Sequence, residues 1–226
     1  MSEGLYTQLL DLACGAFLLA AVIVLWRREL TAIVRVFALQ GLALGVIAVV
    51  LGAHEERWDL IVIGVGIGVL RAGALPYLMR RALTALTADH TYSEEVRETQ
   101  PLVNVAASLL TAALLTLLAY VVAQPLTELN PTPATRALPV GLAVVLIGFF
   151  VLVTRRRALA QVVGFLLLDN GITATAFLAT SGVPLIVELG VSFDVVLAVL
   201  VLQILTTRMR AAFGTTDIDD LRELHD

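Results

Sequence analysis

Lysine is absent from this chain of 226 residues: all 15 basic residues are arginine, which we read as genome composition rather than function. Cysteine is almost absent too, and the single Cys14 excludes an internal disulfide framework. Histidine occurs only at His54, His90 and His225, scattered and without metal-ligand spacing. No Ser/His/Asp or Cys/His arrangement is visible, nor any haem or iron–sulfur motif. No nucleic-acid partner is expected. Charge of either sign is scarce, at 15% of residues, whereas a soluble domain of this size needs far more polar surface. Alternation of apolar and polar residues is lacking as well, which argues against membrane-spanning strands.

What the chain has instead is hydrophobic length. Apolar residues make up 59% of it and the mean hydropathy is +0.92. The charges cluster and leave apolar runs of about 20 residues, the length a helix needs to cross roughly 30 Å of hydrocarbon. The sequence predicts an all-α integral membrane protein of about seven transmembrane helices, at 5–25, 31–51, 60–79, 101–123, 138–153, 158–180 and 184–206. The fifth is the shortest and begins near Pro139. Leu12-Ala13-Cys14-Gly15 faintly suggests a lipoprotein cleavage site, but Asp11 stands where an apolar residue belongs and no arginine precedes the segment. We read it as a retained helix.

Arginine also orients the chain. Arg27-Arg28, Arg80-Arg81 and Arg155-Arg156-Arg157 fill the first, third and fifth connections, and Arg208 and Arg210 begin the tail. Positive charge stays on the cytoplasmic side, so the N-terminus is expected outside and the C-terminus inside, which an odd number of spans requires. The formal charge of −4 says little, because it sums two solvent faces. Two cytoplasmic segments read as short helices: 80–100, amphipathic and ending in the helix-start signal Ser93-Glu94-Glu95, and 215–225. They are either surface helices or docking elements for neighbouring subunits.

The informative residues are the charges left inside the spans. Asp169 lies near the centre of the sixth span and Asp194 near the centre of the seventh, and the turn Ser181-Gly182-Val183-Pro184 joins the two helices as a hairpin. Counted at about 1.5 Å per residue, both carboxylates lie about 16–20 Å from that turn, close to the bilayer midplane. A central charge costs about 2.5–3.5 kcal/mol on insertion scales, and acids that persist there either relay protons or, neutral or paired with an arginine, pin helix packing. Glu188 lies nearer the outside and about 120° around the helix from Asp194. It either leads protons inward, contacts another subunit, or snorkels to the interface. Arg71 is the third central charge; it is expected to pair with Asp169 or Asp194, as a gate or as a permanent ion pair. Pro76, just beyond it, interrupts the backbone hydrogen bonding and opens a kink. Gln40 is deep enough to hold a water, while Arg35 and Asp11 are shallower and can snorkel. Gly64-Val65-Gly66-Ile67-Gly68 looks like a phosphate-binding loop but lies in an apolar run with no preceding strand. Gly64 and Gly68, like Gly41 and Gly45, are read as close helix-packing faces.

The stretch Gly164-Phe165-Leu166-Leu167-Leu168-Asp169-Asn170-Gly171 resembles component E of hydrogenase 4. So do Pro184-Leu185-Ile186-Val187-Glu188-Leu189-Gly190, Phe193-Asp194 and Phe213-Gly214-Thr215-Thr216-Asp217, with weaker matches at Gln40, at Arg71 with Pro76, and at Gln124-Pro125. That family is the membrane subunit of energy-converting, group 4 nickel–iron hydrogenase and formate hydrogenlyase complexes. The same C-terminal part is similar to the K subunit of respiratory complex I and the C subunit of multisubunit sodium/proton antiporters, in which two buried acids lie on a hydrophilic axis. By that resemblance Asp169 takes the first acid's place, and Asp194, with Glu188 competing, takes the second's. The family usually has Glu at position 169, and we expect Lys at position 71. Arginine is a poor proton carrier, which favours an electrostatic role for Arg71.

The resemblance implies a multi-pass subunit of a prokaryotic cytoplasmic membrane, not catalytic alone, that contributes to a proton or sodium path. Its parts would be a five-helix region (1–157), a complex-I-K-like hairpin with buried acids (158–207) and a cytoplasmic tail (208–226). Asp169, Asp194 and Glu188 are the implied relay acids, Arg71 their electrostatic modulator, and Gln40 and Arg35 candidates for a polar path. Implied partners are antiporter-like membrane subunits, a hydrogenase membrane anchor and a peripheral hydrogenase module. The last holds the iron–sulfur clusters, with or without a nickel–iron site, and none of these cofactors lies in this chain. A structural linker and a self-sufficient transporter are the alternatives.

Overall fold

The computed structural model describes residues 2–27, 29–87, 104–155 and 158–180. Seven α-helices occur among them: α1 (Glu3–Trp26), α2 (Leu30–His54), α3 (Trp58–Gly68), α4 (Leu75–Thr87), α5 (Val105–Leu129), α6 (Pro133–Thr154) and α7 (Ala158–Thr180). A π-helical segment, Val69–Ala74, joins α3 directly to α4. Among the described residues six continuous helical stretches are long and apolar enough to cross a membrane, the third being Trp58–Arg81. This is an all-α membrane protein. The expected seventh span, the turn before it, and the 215–225 segment lie outside the described residues.

Local chemistry explains most of the helix ends, including those the sequence misplaced. The fifth span starts at Pro133 rather than near Pro139, because Thr132 and Thr135 form a reciprocal capping box and Pro133 fills the first turn, where its missing N–H costs nothing. Pro139 then falls inside the helix. The fourth span runs past the expected end at 123 through Pro125 to Leu129, after an N-cap in which the Asn104 side chain accepts from the Ala106 amide at 3.3 Å. Past Pro76 the third span does not stop: α4 carries it to Thr87, taking in the first residues of the 80–100 segment.

Packing arranges the helices around α2, which touches α1, α3, the π segment, α4 and α7, while α6 lies between α5 and α7 and also meets α1. Glycines set the closest approaches. A Cβ on Gly64 would stand 2.8 Å from the Val49 amide nitrogen, and one on Gly45 would stand 2.9 Å from Gly68 Cα. On the opposite side, a Cβ on Gly164 would meet the Leu152 nitrogen at 2.6 Å and one on Gly171 the Val145 nitrogen at 2.5 Å. Backbones this close gain dispersion contacts that lipid tails do not supply, which is what holds helices together in a bilayer. The glycine faces expected at Gly41, Gly45, Gly64 and Gly68 are therefore present.

Large apolar side chains such as Leu12, Leu39, Val62, Leu117 and Phe149 are exposed on the outside of the bundle, as a lipid-facing surface requires. Trp26 and Trp58 stand exposed at opposite ends of it, with the Arg27 guanidinium 5.4 Å from the Trp26 ring centre. At the Trp58 end, Tyr6 stacks on His54 with ring centres 3.8 Å apart, pinning the start of α1 to the end of α2. At the other end, buried Arg155 reaches the carbonyls of Val24 and Leu25 at 3.4 Å, answering the unpaired acceptors that close α1.

Candidate functional site

Halfway along the bundle, α2, the π segment and α7 each turn polar side chains into an otherwise apolar interior. Gln40, Arg71, Asp169, Asn170 and Thr173 are all buried, and Arg71 is 1% exposed. On α7, Asn170 and Thr173 lie one turn apart and share a face, with Asp169 next to them.

Arg71 is the centre of the arrangement. Its position on the π segment follows from Pro76, whose ring displaces the carbonyl one turn earlier and leaves it without its usual donor. The helix accommodates this by widening for a turn, and such widened turns are frequent at functional sites. Gly41 lets α2 approach closely from the other side: a Cβ there would stand 2.7 Å from the Arg71 carbonyl carbon. The guanidinium then reaches α7. Its Nη2 donates to Thr173 Oγ1 at 3.0 Å, its Nη1 donates to Asn170 Oδ1, and Nη1 lies 2.8 Å from Asp169 Oδ2.

From Asn170 the hydrogen bonds continue in one direction. Asn170 Nδ2 donates to Gln40 Oε1 at 3.0 Å, and Gln40 Nε2 donates to the Phe17 carbonyl of α1 at 3.5 Å. The result is a donor-to-acceptor series from the arginine to the backbone of the first helix. Asp169 stands beside this series rather than in it. Its Oδ2 is inaccessible to solvent and is held by the Arg71 guanidinium in an ion pair at 2.8 Å. Burying the two opposite charges together offsets part of their desolvation cost, and the neutral amides and hydroxyl satisfy the donors the carboxylate leaves over.

The structure thus brings together three of the residues singled out in the sequence, Asp169, Arg71 and Gln40, and gives Arg71 the first of its two anticipated acids as partner. Arg35 and Asp11 are exposed on α2 and α1 and belong to no part of the cluster. Asp194 and Glu188 lie outside the described residues. Sequence reasoning missed the roles of Asn170 and Thr173. Their signal was there: two polar side chains three residues apart in an apolar run, on the turn that begins with Asp169. Among the described residues no group of three or more His, Cys, Asp or Glu side chains is placed to hold a metal ion.

No family model and no solved structure matches the chain. Hydrogenase-4 component E of Escherichia coli K12 is 34% identical over 115 residues, which cover 51% of this chain and 53% of that protein. The Shigella flexneri protein of the same description matches to the same extent. An uncharacterized protein of Mycobacterium tuberculosis, Rv0085, is 49% identical over 226 residues, the full length of both chains. Identity of that order along the whole of both sequences means that this chain belongs to the family of Rv0085.

Proposed function

We propose that this protein is a non-redox membrane subunit of an energy-converting, hydrogenase-type complex, and that Asp169 is one carboxylate of its proton (or sodium) path. The observation that carries this reading is the buried Arg71–Asp169 pair at the middle of the bundle. Ionisable groups at membrane depth are costly and mark ion paths and proton relays. The similarity to hydrogenase-4 component E supports membership of a multisubunit complex.

In this reading Asp169 takes up and releases the translocated proton while Arg71 stays charged and tunes it electrostatically. Asp194 is the second relay acid and Glu188 an outer-side or intersubunit acid. The chain lies in the cytoplasmic membrane of a prokaryote with its N-terminus outside. Antiporter-like subunits, a hydrogenase membrane anchor and a peripheral module are its partners, and the iron–sulfur and nickel–iron chemistry belongs to them. One observation favours a purely structural linker: the same network ties α1, α2, the third span and α7 together.

Asp169→Asn in the intact complex separates the two readings. The relay predicts electron transfer with ion translocation lost; unchanged translocation in an assembled complex would sink it and leave the linker. Gentle purification through this subunit, with mass spectrometry of what accompanies it, tests the complex itself. A chain that purifies alone and carries ions unaided in liposomes contradicts the subunit reading.

A further inference from the structure

We infer that Asn170 and Gln40 are positioning residues that control how Arg71 engages Asp169. The inference deepens the proposed role of Asp169 and rests on it, but its geometry stands separately.

Arg71 Nη1 has two acceptors within reach on adjacent residues of α7, Asn170 Oδ1 and Asp169 Oδ2. The neutral amide accepts from Nη1, and Asp169 Oδ2 pairs with the same nitrogen at 2.8 Å. Nη1 carries two hydrogens and serves both acceptors, so the orientation of the amide helps set where the guanidinium stands relative to the carboxylate. Gln40 fixes that orientation. Because its Oε1 accepts from Asn170 Nδ2, the Asn170 amide presents its oxygen to Arg71 and its nitrogen to α2, and cannot exchange the two without breaking both bonds. Gln40 is oriented in turn by donating to the Phe17 carbonyl. Each amide polarises the next, which strengthens the set as a unit.

Gln40 therefore acts on Asp169 through Asn170 and Arg71. Loss of the amide set leaves the guanidinium free to turn toward Asp169 Oδ2 and tighten the ion pair now at 2.8 Å. In the proposed path a tightened pair traps the acid and slows its exchange with the ion.

The test is infrared spectroscopy of the full chain in lipid, with the Asp169 carboxyl band identified by its loss in Asp169→Asn. Gln40→Met keeps the side-chain length and removes both polar atoms. Asn170→Leu removes the amide directly. Both are expected to shift the Asp169 band in the same direction, and the double variant is expected to shift it no further than Asn170→Leu alone. Asn170→Ser, smaller and too short to reach Gln40, is a gentler second variant and is expected to shift the band as well. An unmoved band in folded Gln40→Met or Asn170→Ser, or additive shifts in the double variant, overturns the inference. The measurement needs no partner subunit, so its failure is distinct from failure of the ion-path reading, which is judged by translocation in the complex.

Discussion

Replacing Gly41 by alanine puts a methyl group where α2 meets the backbone of Arg71. The new carbon would stand 2.7 Å from the Arg71 carbonyl carbon and 2.8 Å from both its Cβ and its carbonyl oxygen. Carbon atoms attract best at about 3.5–4.0 Å, so α2 and the π segment must separate by about 1 Å. Two of the three contacts are backbone atoms, which no rotamer change can move aside. Overpacking of this kind costs about 1–3 kcal/mol. Separation also draws Arg71 away from Thr173, now at 3.0 Å, and a lost interhelical hydrogen bond adds about 0.6 kcal/mol. The expected loss for Gly41→Ala is thus about 1.6–3.6 kcal/mol. Gly66 is the internal control, because a Cβ there meets nothing within 4 Å, and Gly66→Ala is expected to match the parent or exceed it by about 0.5–1 kcal/mol through helix propensity. Reversible unfolding of both variants in mixed micelles, followed by circular dichroism, reads the difference. Equal stabilities would refute the close seating of α2 on the π segment, and with it the account of how Arg71 reaches α7.

Two further outcomes follow from the same geometry. Arg71→Met leaves Asp169 buried without its counter-charge and is expected to cost about 3–5 kcal/mol, most of it recovered in Arg71→Met/Asp169→Leu; a double variant no more stable than the single contradicts a paired buried charge. Arg27→Cys and Arg57→Cys flank the single crossing made by α2, so a membrane-impermeant maleimide should label them from opposite faces. Buried Cys14, 3% exposed, contributes little background, and labelling of both positions from one face is incompatible with α2 as a span.

Residue counting read depth well and rotation poorly. Apolar run length located six spans, and the same count placed Asp169, Arg71 and Gln40 at the level where the structure joins them. Rotation about a helix axis is set by packing, and that depends on glycine contacts between helices distant in sequence, such as Gly41 against Arg71. Asn170 illustrates the loss. Beside Asp169 it reads as an incidental polar neighbour, and only the approach of α2 makes it the hinge between an arginine and a glutamine 130 residues away in the chain. Proline was read well at one position and poorly at another. The ladder before Pro76 is disturbed as expected, as a widened turn, whereas Pro139 looks like a helix start and lies inside α6.

The series of hydrogen bonds that begins at Arg71 ends on a main-chain oxygen of α1. This has an evolutionary consequence. A side-chain acceptor at that end would have to be inherited as a particular codon, and any drift would break the set. The Phe17 carbonyl is supplied by every amino acid that keeps α1 helical. Substitution at position 17 is therefore filtered by the volume of the buried ring and not by the polar set, and across descendants that position can change its chemistry while Gln40 keeps the same acceptor.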